Sequence, residues 1–218
     1  MAANIITLGR IILVFFVILL FQLGFYPRLL AVVLTALVIY LDSLDGYVAR
    51  KLGVASDFGA LFDITGDPIV EHIYLIFYSS MGLLTFWVPI IFITRSFLVD
   101  TLRSVAFTKE GKTPFGSHTM MKSRLTRFLT ASRFSRAIYG TSKVGAFILL
   151  GGLLVFRADS PPSLRWLASP VLTPLALITN VMVWIMVTFN LIRGIPVLID
   201  GRSYLLDKYF PRSLKSEN

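Results

Sequence analysis

The chain has 218 residues, 56% of them hydrophobic and 15% charged, with a formal net charge of +9. A soluble domain carries roughly 25% charged residues, so the deficit points to a bilayer, and the positive excess reads as a membrane protein's cytoplasmic bias, with no nucleic-acid partner. Without cysteine, and with His72 and His118 as the two histidines, disulfides and thiolate sites are excluded and a histidine zinc site is disfavoured.

Six apolar stretches approach the roughly twenty residues that a helix needs to span a bilayer. They lie at about 5–25, 29–50, 57–81, 84–107, 139–157 and 169–196. The first is read as a retained helix and not a signal peptide, because Arg10 interrupts it and neither a basic leader nor a small-x-small cleavage site frames it. Pro27, Gly53, Gly82, Pro114 and the Pro161-Pro162 pair punctuate the spans, and Pro170, Pro174 and Pro196 predict kinks in the last. Basic residues concentrate in the segments around Arg50, Lys109, Lys122–Arg136 and the C-terminal tail, whereas the alternate connections hold Arg28, Arg157 and Arg165. Both termini are therefore expected in the cytoplasm, with the active site facing it, in the plasma membrane of a prokaryote. Between the fourth and fifth spans, residues 122–138 alternate basic side chains with Leu125, Phe128, Leu129, Phe134 and Ile138, which predicts a short basic amphipathic helix on the membrane surface. The expected architecture is thus an all-α integral membrane protein of six transmembrane helices, with a membrane domain over 1–200 and an exposed tail over 201–218. No internal repeat is visible, which speaks against an inverted-repeat transporter.

Six of the twelve acidic residues fall between Asp42 and Glu71. Asp42, Asp45, Gly46, Ala49 and Arg50 stand at i, i+3, i+4, i+7 and i+8, one face of a helix. Gly59, Asp63, Asp67 and Glu71 follow at four-residue intervals, again one stripe. Intramembrane carboxylates are costly unless paired, and packed together they repel. Two divalent cations of the hard type, Mg²⁺ or Mn²⁺, would offset four aspartates and are a recurring device in phosphoryl chemistry. Gly46 and Gly59 would admit a diphosphate or nucleotide close to the backbone, and Arg50 offers a planar fork for phosphate oxygens. The alternatives are plainer: Gly46 and Ala49 as small helix contacts, Arg50 as a topology anchor, Glu71 as the partner of a basic residue.

The segment from Asp42 to Asp67 resembles the signature D-x2-D-G-x2-A-R-x8-G-x3-D-x3-D of the CDP-alcohol phosphotransferases, matching all eight fixed positions. The resemblance implies a six-helix enzyme, a homodimer, that transfers a substituted phosphate from a CDP-linked lipid to a small alcohol, releasing CMP in phospholipid biosynthesis. It also implies that Asp42, Asp45, Asp63 and Asp67 hold the metals and that Asp67 is the base towards the acceptor hydroxyl. Asn4, Thr7 and Arg10 resemble the family's N-x-x-T-x-x-R opening, near the donor's polar group.

Two further segments, Arg95–Arg103 and Gly140–Lys143, resemble the R-E-x5-L-R and G-K-x-K stretches of the phosphatidylglycerophosphate synthase branch. There the basic residues contact the acceptor's phosphate, which marks Arg95, Arg103 and Lys143 and favours glycerol 3-phosphate. Ser96 and Thr141 depart from that pattern, which keeps inositol phosphate or another alcohol such as serine open as acceptor. The plainer account of the three cations is anchoring by snorkelling. A cation transporter or channel is the competing class, but it gives Gly46, Arg50 and Gly59 no reason for their spacing.

Overall fold

A computed structural model describes the backbone of residues 2–52, 57–110, 121, 123–157 and 165–205. Within these, the side chains of 2–6, 42–52, 57–67, 107–110, 124, 131, 165–169 and 203–205 lie outside the description. The described elements are helical, with no strand among the described residues: α1 Ala2–Phe21, α2 Phe25–Leu52, α3 Asp57–Ser80, α4 Trp87–Glu110, α5 Arg124–Ala131, α6 Arg133–Arg157 and α7 Arg165–Leu205. A long helix occupies each of the six apolar stretches. Two described segments, Leu125–Arg157 and Pro170–Arg202, are long and apolar enough to cross a membrane, and Thr7–Phe21 and Phe25–Leu41 are shorter apolar helices.

The helix ends follow from local chemistry. Pro27 and Pro89 each take the third position of α2 and α4, where a backbone N–H has no intrahelical partner to lose. α3 stops at Gly82, whose φ of +70° suits glycine, with Leu83 N–H donating to Tyr78 O and Gly82 N–H to Ser79 O. Arg28 donates through Nε to Phe21 O and through Nη1 to Leu154 O, both at 2.9 Å, tying down the last carbonyls of α1 and α6.

Two expectations change. The basic stretch 122–138 is not one helix. Ser132 takes an extended conformation (φ −62°, ψ 146°) that ends α5, and its Oγ accepts from Ser135 N–H to start α6. Residues 133–138 are therefore the opening of a long helix. The last span is also longer than expected. α7 runs for 41 residues across Pro170, Pro174 and Pro196, so each proline removes one backbone bond without ending the helix. It continues to Leu205, past the expected domain boundary at 200; residues 206–218 lie outside the described residues.

The chain divides into two compact units, Met1–Ile93 with Tyr139–Val187, and Thr94–Ile138 with Thr188–Asn218. In the first, α1 packs on α2 and α3. Its core is aromatic: Tyr74 and Tyr78 stack, Phe21 lies against Phe77, and the Tyr78 hydroxyl donates to Phe147 O at 3.0 Å. Gly151 of α6 lets these elements meet, since a Cβ there would stand 3.0 Å from Phe21 and 3.1 Å from Val32. In the second unit, Val99, Ala106, Met121 and Val197 form a buried cluster joining α4 to α7. Thr126 of α5 donates to Asp200 of α7 at 2.7 Å.

Beside this apolar core, several polar side chains are buried and many large apolar ones are exposed. Thr7, Arg10, Asn190, Arg193 and Asp200 are buried, while Ile12, Leu19, Val33, Tyr40, Leu177 and Trp184 are exposed. Extended apolar surface of this kind requires apolar surroundings, such as a lipid bilayer provides.

Candidate active site

Backbone geometry at the acidic cluster is what the spacing demands. Asp42, Asp45, Gly46, Ala49 and Arg50 lie within α2, and Gly59, Asp63 and Asp67 within α3. Their side chains, and that of Asn4 in α1, lie outside the described residues. Among the described residues no group of three or more potential ligands could hold a metal. The donor set of the cluster itself, four carboxylates on helices, fits a hard divalent cation and no soft one.

One turn beyond Asp67, Glu71 is buried at 9% exposure and engages two α6 side chains. Its Oε1 accepts from the Tyr139 hydroxyl at 2.8 Å, and its Oε2 stands 4.0 Å from Lys143 Nζ. The ammonium also lies 5.7 Å from the Tyr139 ring centroid. The plainer reading of Glu71, as the partner of a basic residue, is thus what the structure contains. A cavity of about 20 Å³, room for a water molecule, lies beside Arg10, Glu71, Lys143 and Phe147. Arg10 is 1% exposed and Thr7 3%, so two of the three residues of the opening motif are buried in this unit. A lipid-facing anchor would not place Arg10 there.

The second unit holds the other candidates. Arg103 donates through Nη1 to Asp100 Oδ1 at 3.2 Å, with both side chains mostly buried. Arg95, Asp100 and Arg193 are among the charges that act on Arg103. Arg95 lies flat over α7 at Gly194: a Cβ on that glycine would stand 2.6 Å from Arg95 Nε and 2.8 Å from its Cγ. The Nε groups of Arg95 and Arg103 are buried and donate to none of the described residues. Neighbouring guanidiniums repel one another, and their fork geometry suits a phosphate. Arg95 and Arg103 thus share the second unit; Lys143 belongs to the first, where it faces Glu71.

Arg193, Gly194 and Asn190 are absent from the sequence reading. The signal for Arg193 was present, since an arginine inside an apolar span is a functional candidate by default. Gly194 and Asn190 carry no motif and acquire meaning only from the side chain that α4 lays against them.

Comparison with known proteins gives a consistent result. The family model for CDP-alcohol phosphatidyltransferase matches residues 1–192. Two Mycobacterium tuberculosis proteins named "Probable phosphatidylglycerophosphate synthase" are 35% identical over 116 residues, 51% of this chain and 55% of theirs. The chain thus spans about half the length of these curated relatives. A Rickettsia typhi protein named CDP-diacylglycerol–glycerol-3-phosphate 3-phosphatidyltransferase is 28% identical over 152 residues, 67% of this chain and 85% of its own length. A Methanocaldococcus jannaschii protein named CDP-diacylglycerol–serine O-phosphatidyltransferase is 44% identical over 75 residues, 29% of this chain and 37% of its own.

Proposed function

We propose that this chain, which belongs to the CDP-alcohol phosphatidyltransferase family, transfers the phosphatidyl group of a CDP-linked lipid such as CDP-diacylglycerol to glycerol 3-phosphate, releasing CMP. The observation that carries the choice of acceptor is the pair Arg95 and Arg103, whose buried Nε groups donate to none of the described residues, with Arg193 acting on Arg103 from α7. A phosphorylated alcohol supplies acceptors together with a net negative charge, whereas serine offers one carboxylate whose charge its own ammonium offsets. The names of the Mycobacterium and Rickettsia relatives point the same way.

In this reading Asp42, Asp45, Asp63 and Asp67 hold the divalent cations. Mg²⁺ or Mn²⁺ bound there would polarise the diphosphate and neutralise charge on the departing CMP. Asp67 takes the proton from the acceptor hydroxyl as the general base. Gly46, Ala49 and Gly59 leave room for the donor, while Arg50, Asn4, Thr7 and Arg10 bind its polar groups. Arg95, Arg103 and Arg193 fix the acceptor through its phosphate. Lys143, held by Glu71 and Tyr139, lines the same small cavity as Arg10. The six long helices cross the membrane with both termini in the cytoplasm, the protein works as a homodimer, and α5 lies on the membrane surface with Leu125 and Phe128 exposed towards the lipid.

The test is CMP release from CDP-diacylglycerol by purified protein, with Mg²⁺ or Mn²⁺, across glycerol 3-phosphate, inositol phosphate and serine. Glycerol 3-phosphate is expected to give the highest kcat/KM. Preferred use of serine would overturn the assignment of the arginine group.

A further inference from the structure

We propose that Asn190 is a specificity-determining residue of this site, which reads a non-reacting hydroxyl of the acceptor next to its phosphate. The inference rests on the acceptor reading above and goes beyond it, because it concerns the part of the acceptor that the arginines cannot recognise.

Asn190 precedes Arg193 by three residues and Gly194 by four on α7, so the three share one helical face. That face carries Arg95, which lies against Gly194. Asn190 is 1% exposed, and neither its Oδ1 nor its Nδ2 has a hydrogen-bond partner among the described residues. A carboxamide accepts and donates several hydrogen bonds, and leaving both ends buried and unmet is costly enough to be rare in native folds. A ligand that meets them accounts for its retention.

The chemistry of the neighbours narrows that ligand. Guanidinium groups donate and cannot accept, so Arg95, Arg103 and Arg193 can hold phosphate oxygens but cannot receive a hydroxyl proton. Asn190 supplies what they lack, an acceptor in Oδ1 for an O–H and a donor in Nδ2 for the oxygen's lone pairs. The fitting class is a phosphate monoester of a small polyol, with a free hydroxyl on the carbon adjacent to the one bearing phosphate. Glycerol 3-phosphate is the simplest member. Its middle hydroxyl does not react and would be the group read.

The experiment compares glycerol 3-phosphate with 3-hydroxypropyl phosphate, which keeps the phosphate and the reacting primary hydroxyl but lacks the middle one. Wild-type protein should prefer glycerol 3-phosphate by at least about tenfold in kcat/KM, as expected for a site built around a hydroxyl. Asn190→Leu should reduce that preference to near unity by losing glycerol 3-phosphate affinity, with KM for CDP-diacylglycerol unchanged. Because no described intramolecular bond is lost, the acceptor-free Tm of Asn190→Leu should not fall below that of wild type. If Leu does not fold, Asn190→Ala makes the same comparison. A wild-type preference retained in the variant, or equal loss with both acceptors, overturns the proposal. Absence of CMP release by wild type with either phosphate would refute the reaction instead. The contact is then decided by binding: glycerol 3-phosphate should raise the wild-type Tm more than 3-hydroxypropyl phosphate does, and Asn190→Leu should erase the difference, whereas equal shifts in wild type overturn it.

Discussion

A single methyl group at position 194 tests the acceptor site sharply. Gly194→Ala places that carbon against the Arg95 stem, not merely its tip, so the whole side chain has to leave its seat. Helix propensity alone would favour alanine by about 1 kcal/mol, so the fold should tolerate the change better than the site does. Losing a charge-assisted bond to phosphate, worth about 1.5–3 kcal/mol, predicts KM for glycerol 3-phosphate raised roughly 10–100-fold. KM for CDP-diacylglycerol should stay within error, as steady-state kinetics with each substrate varied would show. Arg193→Gln should act the same way, and a donor-side defect in either variant would contradict the assignment. Arg95 and Arg103 stood out as candidates in the sequence because they lie in a spaced motif. Arg193 was legible in principle, as a charge in an apolar run. Asn190 and Gly194 were not, because their significance lies in a side chain contributed from another helix a hundred residues away.

At the scale of elements, apolar length and punctuation located every long helix, since twenty-odd apolar residues bounded by Gly or Pro admit few alternatives. Boundaries set by capping were missed. The capping box of Ser123 with Thr126, and the extended Ser132, divide a stretch whose charge pattern read as continuous. The α5–α7 link gives this division a measurable consequence. Thr126→Val deletes the 2.7 Å bond to buried Asp200 together with the capping-box acceptor for Ser123 N–H while keeping shape, and should cost about 1–3 kcal/mol, seen as a lower Tm in detergent. In the first unit, Gly151→Leu forces a side chain into the space held by Phe21, Val32 and Tyr78, and overpacking of this kind costs about 1–3 kcal/mol or more. The same thermal melt should show Gly151→Leu destabilised, and an unchanged Tm would mean that the aromatic core is looser than described.

For the whole molecule, exposed apolar helix faces and buried polar groups agree with the charge-poor composition, which is why the membrane class was legible before any coordinates. Orientation rests on the distribution of lysine and arginine, and the chain's lack of cysteine allows a clean check. Tyr26, 71% exposed at the start of α2, and Arg202, in the last turn of α7, should lie on opposite sides of the membrane. In intact cells an impermeant maleimide should label Tyr26→Cys and reach Arg202→Cys only after lysis. Labelling of Arg202→Cys in intact cells would reverse the proposed topology. The eight spaced positions from Asp42 to Asp67 were expected on helices, and α2 and α3 carry them so.

The central claim, phosphatidyl transfer to a phosphorylated alcohol, is tested most directly by one assay. Purified protein is given CDP-diacylglycerol, Mg²⁺ and glycerol 3-phosphate, and both CMP and the lipid product are measured, with Asp67→Asn alongside. Stoichiometric CMP and phosphatidylglycerophosphate from wild type, and neither from Asp67→Asn, is the predicted result. Lipid product at wild-type rate from Asp67→Asn, or CMP released without a phosphorylated lipid product, would contradict it.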